Sequence, residues 1–228
     1  MKLSKRLDLV AKLIEKQTDK QDILADIGTD HGYLPCFLVS ENKISKAYAC
    51  DVAIGPLNSS KETIEMMHLE QFVTPLLGNG LEPILNKDCT VISICGMGGF
   101  LMQEILEAHL QDLPQVHTLV LQPNICEYVI REYLCTNGWY IEDEAIVKDV
   151  NHRYEVMVYK RGKKEYHHLD YIYGPILRQK QSSCFKDKWH HELLVRQKVI
   201  HSIQDHKHSK YQEVMQEIEE IKEILNED

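Results

Sequence analysis

Short apolar runs and helix-patterned stretches alternate along the first two thirds of the chain, and that alternation leaves few architectures open. Runs at 22–26, 46–50, 73–77, 90–95 and 117–122 have the length and apolar content of buried strands. Helical stretches are expected at 33–40, 55–68, 99–110 and 125–136. Residues 1–20 form one more, with Leu3, Leu7, Val10, Leu13 and Ile14 at helical spacing. Strands that alternate with helices pair in parallel and build a sheet covered on both faces. Two further runs, 139–147 and 153–160, break the pattern. Only Lys148 to His152 separates them, too short for a crossover, so they predict an antiparallel hairpin. The expectation is an α/β fold with a seven-stranded, mostly parallel sheet that ends in that hairpin.

The first strand runs into Asp26-Ile27-Gly28-Thr29-Asp30-His31-Gly32-Tyr33-Leu34-Pro35, a glycine-bearing turn before a helix. Proline is tolerated in a first helical turn. Glycine lets a ligand approach the backbone, and the helix end offers free N–H donors. A second acid, Asp51, closes the next run 25 positions after Asp26, where a second strand places a carboxylate to hold ribose hydroxyls. The turn is not the G-x-G-x-x-G of a pyrophosphate site. Asp26 and Asp30 would repel pyrophosphate, which disfavours a dinucleotide dehydrogenase. They suit a cationic ligand such as S-adenosyl-L-methionine (SAM), with its ammonium and sulfonium. The terminal hairpin agrees, being the strand pattern of a Rossmann-like, class I SAM-dependent methyltransferase.

Charge is uneven. The net charge is −9, yet residues 160–210 carry twelve Lys/Arg against five Asp/Glu, with seven histidines besides. A basic segment between acidic ones can meet a phosphate backbone locally, because screening limits the reach of distant charge to about 8–10 Å. The alternative is a solvated helix whose basic face meets an acidic neighbour. The seven cysteines form no C-x-x-C pair, which fits reduced, buried thiols. The twelve histidines make no spaced set with cysteines or acids, and no metal is expected. No apolar run approaches the ~20 residues of a membrane span. Residues 1–8 lack the apolar segment of a signal peptide, so the expected location is cytoplasmic.

The character changes around Gly174-Pro175. Trp189, Leu193, Ile200 and Ile203 suggest one apolar stripe, and Val214, Ile218, Ile221 and Leu225 keep a 4-3-4 spacing on a second helix. Gln204 to Ser209 reads as the turn between them. We expect a methyltransferase domain over 1–162 and a C-terminal helical coiled-coil hairpin over 163–228.

Taken together, these motifs resemble those of the TrmK family of tRNA adenine-N1 methyltransferases. The resemblance rests on Leu3-Ser4-Lys5-Arg6-Leu7, the Asp26–Pro35 turn, Gly78-Asn79-Gly80-Leu81, Ile94-Cys95-Gly96-Met97-Gly98-Gly99, Leu121-Gln122-Pro123-Asn124, Tyr154-Glu155-Val156 and the tail after Gly174-Pro175. It covers nearly the whole chain, and G-M-G-G combined with Q-P-N is its most specific part. It departs at Asn79, where relatives often carry Asp, and at Cys95, where a small residue is usual.

The resemblance implies methylation of N1 of the adenosine at position 22 of tRNA, with SAM as cofactor and the helical appendage helping to hold the tRNA. It assigns Asp26, Gly28, Asp30, His31, Gly32, Tyr33, Asp51, Asn79, Gly80, Cys95, Gly96, Met97 and Gly98 to the cofactor. In that set Asp26 or Asp30 meets the ammonium, Asp51 the ribose, and Asn79 with Gly80 the adenine. Asn124, and less directly Gln122, are candidate catalytic acceptors for the N6 amino group, with Asp26 as the alternative electrostatic partner. Tyr33 and Tyr154 are the aromatic candidates to stack on the target base. Lys5, Arg6, Lys180, Lys186, Lys188, Arg196 and Lys198 are the candidate RNA contacts. A monomer is expected. Two alternatives stay open: a methyltransferase for a small molecule or protein that dimerises through the coiled coil, and a non-catalytic SAM- or RNA-binding module.

Overall fold

The computed structural model describes residues 1–203 and 209–226. Contacts divide it into two compact units, Met1–Gly174 and Pro175–Asp228.

The first unit opens with α1 (Lys5–Gln17). Ser4 caps it by accepting the Leu7 N–H, and Val10, Ala11, Leu13 and Ile14 bury one face. Then come β1 (Ile23–Ile27), α2 (Tyr33–Ser40), β2 (Lys46–Asp51), α3 (Ile54–Met66) and β3 (Val73–Leu77). β4 (Val91–Gly98), α4 (Gly99–His109), β5 (Thr118–Ile125) and α5 (Glu127–Thr136) follow, and then β6 (Trp139–Asp149) and β7 (His152–Arg161). The sheet order is β3-β2-β1-β4-β5-β7-β6, parallel from β3 to β5 and antiparallel at β7 and β6. The direction of strand addition reverses between β2 and β4 on either side of β1, so the crevice at the carboxyl ends of these strands is the natural ligand site. Alternate strand residues serve two cores. Val91, Val120, Val156 and Val158 join Val10, Ile14 and Leu38 in one cluster, while their neighbours Ile92, Leu119, Leu121 and Met157 are equally buried.

Two differences from the sequence reading matter. Strands β4 and β5 run on through Gly98 and Ile125, beyond the ends at 95 and 122 expected from the apolar runs, with register shifts at Met97. A short helix α6 (His168–Tyr173) belongs to the first unit, so the chain divides after Gly174 rather than at 162/163. The reason is a buried cation: Arg131 of α5 donates to the Tyr171 and Ile172 carbonyls, and the Tyr166 hydroxyl accepts the Ile141 N–H.

The second unit contains α7 (Pro175–Lys180), α8 (Ser183–Ser202) and α9 (Ser209–Leu225). Gln181, before α8, donates to the Ile224 carbonyl at the end of α9, and Arg196 reaches Glu217 mid-helix, so α8 and α9 run antiparallel. Phe185, Trp189 and Leu193 face Val214, Ile218, Ile221 and Leu225 in the buried seam, whereas Ile200 and Ile203 are only half-buried. The turn expected at Gln204–Ser209 lies, for 204–208, outside the described residues. Among the described residues no helix is long and apolar enough to cross a membrane.

Candidate active site

A cleft of about 590 Å³ opens at the carboxyl ends of β1, β2 and β4. Asp26, Gly28, Asp30, His31, Tyr33, Asp51, Asn79, Gly80, Cys95, Gly96 and Met97 all line it. Gly32, Gly98, Gln122 and Asn124 do not.

Asp26 ends the apolar run of β1 and is buried. Its Oδ1 accepts from Ser93 Oγ at 2.6 Å and its Oδ2 from Thr29 Oγ1 at 2.8 Å. Ser93 is its cross-strand partner on β4. Burial pushes the Asp26 carboxyl above its ordinary range, with Asp51 adding to the push; Ser93, Thr29 and the Arg6 guanidinium pull the other way. A buried carboxylate of this kind is stabilised by any cation that docks beside it. Asp51 ends β2 and does two local jobs. Its Oδ1 accepts the Ala53 N–H at 2.9 Å, ahead of α3, and its Oδ2 the Asp30 N–H at 3.2 Å. Asp30 is exposed, and its carboxylate stands 3.7 Å from His31, whose ring stacks on Tyr33 with centroids 5.1 Å apart.

The glycine turn is tied to β2, because the Gly28 and Thr29 N–H groups both donate to the Cys50 carbonyl at 2.9 Å. Gly28 has φ +73°, and a Cβ there would stand 2.2 Å from Met97 Cε. Gly32 serves the turn instead: it starts α2 with φ +68° and faces Ser60, away from the cleft.

Arg6, expected on the RNA surface, lies in the cleft wall. Its backbone N–H donates to Asp149 and its guanidinium sits 5.5 Å from the Tyr154 ring centroid. Its Nη1 donates to Gln122 Oε1 at 2.5 Å. That same oxygen accepts the Gly96 N–H at 3.2 Å. The Gln122 Nε2 donates to the Pro123 carbonyl and to Asn124 Oδ1, and Asn124 Nδ2 donates to the Gly96 carbonyl at 2.7 Å. Both ends of both amides are therefore engaged within the protein. Gln122 is fully buried and cannot touch a base, which corrects its expected catalytic contact. The two amides hold the Gly96 bulge and Arg6 in place. Tyr154 is covered by Arg6, whereas Tyr33 is exposed at the cleft.

Among the other basic candidates Lys5, Lys180, Lys186 and Lys198 are exposed. Lys188 lies 5.3 Å from the Trp189 ring centroid. Arg196 pairs within the helical unit: its Nε donates to Glu217 at 2.7 Å and its Nη1 to Glu192 at 2.5 Å, which ties α8 to α9.

The sequence reading missed Ser93, Thr29, Leu7, Val52, Leu101 and Ile105. Ser93 had a signal, a lone hydroxyl inside the apolar run Val91-Ile92-Ser93-Ile94. The apolar wall residues had none, because α1 and α4 reach the cleft only through packing.

The site fits SAM: a carboxylate array for its cations, an acid for ribose hydroxyls, an apolar wall for a ring, and glycines where a side chain would intrude. The TrmK family model, tRNA (adenine(22)-N(1))-methyltransferase, matches residues 24–223. The tRNA (adenine(22)-N(1))-methyltransferase of Bacillus subtilis is 34% identical over 237 residues, which is 99% of this chain and 98% of that one. A Streptococcus pneumoniae structure in complex with S-adenosyl-L-methionine has a TM-score of 0.90 at 34% identity, covering 98% of this chain and 100% of its own. The M. capricolum TrmK in complex with S-adenosyl-homocysteine has a TM-score of 0.88 at 28% identity, covering 98% of each chain.

Proposed function

This chain belongs to the TrmK family, and from that premise we infer that it is a SAM-dependent tRNA methyltransferase that modifies N1 of adenosine 22. The observation that carries the reading is a family match over nearly the whole chain onto a cleft whose acids and glycines suit SAM. When bound, SAM supplies an electrophilic methyl that the adenine N1 lone pair can take directly, with no proton leaving in that step.

The protein therefore needs alignment and charge more than acid–base chemistry. Asp26 keeps lone pairs beyond those used by Ser93 and Thr29, and these meet the ammonium directly or through water. Asp51 holds the ribose hydroxyls, and Asn79 and Gly80 border the adenine. Arg6 has one side-chain donor engaged, on Gln122, and its others are available to the methionine carboxylate. Gln122 and Asn124 act as positioning residues that fix the Gly96 bulge where methyl and base meet. Lys5, Lys180, Lys186 and Lys198 contact tRNA phosphates. The cytoplasm, where tRNA resides, is the working compartment.

The test is methyl-labelled SAM with bulk tRNA, followed by nucleoside digestion. Label in 1-methyladenosine, lost in Asp26→Ala, is the expected result. Bound SAM without label in RNA sinks the substrate assignment.

A further inference from the structure

Strands β4 and β5 leave the sheet side by side, with Gly98 in register with Ile125. Helices α4 and α5 start directly after them, at Gly99 and Glu127. The two chains come so close that a Cβ on Gly99 would stand 2.1 Å from the Cys126 carbonyl oxygen. Cys126 itself turns the chain with φ +59°, a left-handed conformation that a residue with a side chain keeps only where its surroundings enforce it.

Around this junction large apolar side chains are left in solvent. Phe100 is 58% exposed, Ile125 63% and Tyr128 44%. Leu101, the next residue after Phe100 on α4, is also exposed and lines the cleft, so the start of this helix borders the site. A lone exposed apolar residue needs no explanation. Three of them on the residues that flank one strand-to-helix junction do.

The reaction supplies a reason. N1 lies on the Watson–Crick edge, so the target adenosine must leave its stack. Its departure uncovers the faces of the neighbouring bases. Proteins that hold opened nucleic acid cover such faces with apolar wedges and aromatic rings, which accept any base. We propose that Phe100, Ile125 and Tyr128 form an unstacking platform that receives the nucleobases flanking the extruded adenosine. The three side chains carry no cation, so they take a base face rather than a phosphate. The proposal rests on the tRNA methyltransferase reading above.

Two variants test it: Phe100→Ala combined with Tyr128→Ala, and Ile125→Ser. Both change exposed side chains, and an unchanged Tm and SAM Kd confirm that fold and cofactor site persist. Each is assayed on the folded tRNA and on the same tRNA with the partner of the target adenosine changed to leave it unpaired. On the folded tRNA, kcat/KM is expected to fall about tenfold or more for the double variant, in keeping with the loss of one base–aromatic stack. On the unpaired tRNA the deficit shrinks several-fold, because opening no longer has to be stabilised. Equal deficits on both substrates, or none on either, overturn the proposal. So does a wild-type dimer in light scattering that the variants convert to monomer, since the patch would then bind a second copy. If the wild-type protein leaves tRNA unmethylated, it is the underlying reading that fails.

Discussion

Asp26 is the residue where function and stability pull apart. Burial raises its carboxyl pKa. The stability this group contributes is therefore full below the ordinary Asp value of about 3.9 and lost as pH rises through the raised folded value. At neutral pH the buried carboxylate is a liability that a docked cation relieves. Asp26→Asn is expected to keep or raise the Tm at pH 7, yet to weaken SAM about ten- to a hundredfold in calorimetric titration, the range of a lost charge-assisted bond. Wild-type affinity for SAM should fall on acidification at a pH above the ordinary carboxylate range. Gly99 gives a purely steric case: a methyl group there meets the Cys126 backbone, so Gly99→Ala should cost about 1–3 kcal/mol in denaturant unfolding. Asn124→Ala frees the Gly96 carbonyl and should lower single-turnover rates more than it weakens SAM. The acids and glycines of this site were legible because each ends a strand or makes a turn. The amide lock was not, because Arg6 and Gln122 lie 116 positions apart and only the packed fold brings them together.

At the scale of elements, the least legible feature is the buried triad that joins α5 to the hairpin and α6. Arg131, Glu144 and Glu155 are wholly buried, with Nε on Glu144 at 2.8 Å and Nη2 on Glu155 at 2.5 Å. Nothing in the local sequence marks an arginine inside a helix as a core residue. Removing it strands two buried carboxylates, so Arg131→Met should destabilise the chain by about 3–5 kcal/mol in chemical denaturation. Replacing Glu144 and Glu155 by leucine as well should recover most of that loss, since an apolar triad of similar volume leaves no buried charge behind. Gly174 must be glycine beside this triad, because a Cβ would stand 2.7 Å from both Arg131 Nη2 and Glu144 Oε1. The Arg131 bonds to the Tyr171 and Ile172 carbonyls hold α6 in the first unit, which extends to Gly174.

At the scale of the whole molecule, charge is divided along the chain, and binding to RNA should follow the local sign rather than the net −9. Lys186→Ala and Lys198→Ala should each lower the log–log salt slope of tRNA binding by roughly one. Arg196→Ala should leave that slope nearly unchanged while loosening the α8–α9 pair, because its guanidinium is already neutralised by Glu192 and Glu217. A flat salt dependence for the wild-type protein would remove the phosphate contacts altogether. The sequence by itself determined the strand and helix order, the terminal hairpin, the acid and glycine positions and the family, because periodicity, turn chemistry and motif spacing are local properties. Tertiary structure alone decided that Arg6 enters the cleft, that Gln122 and Asn124 are held by the protein, and that Arg196 is spent on a neighbouring helix. Those outcomes depend on which distant polar groups packing brings within hydrogen-bond range, and a one-dimensional pattern does not encode that distance.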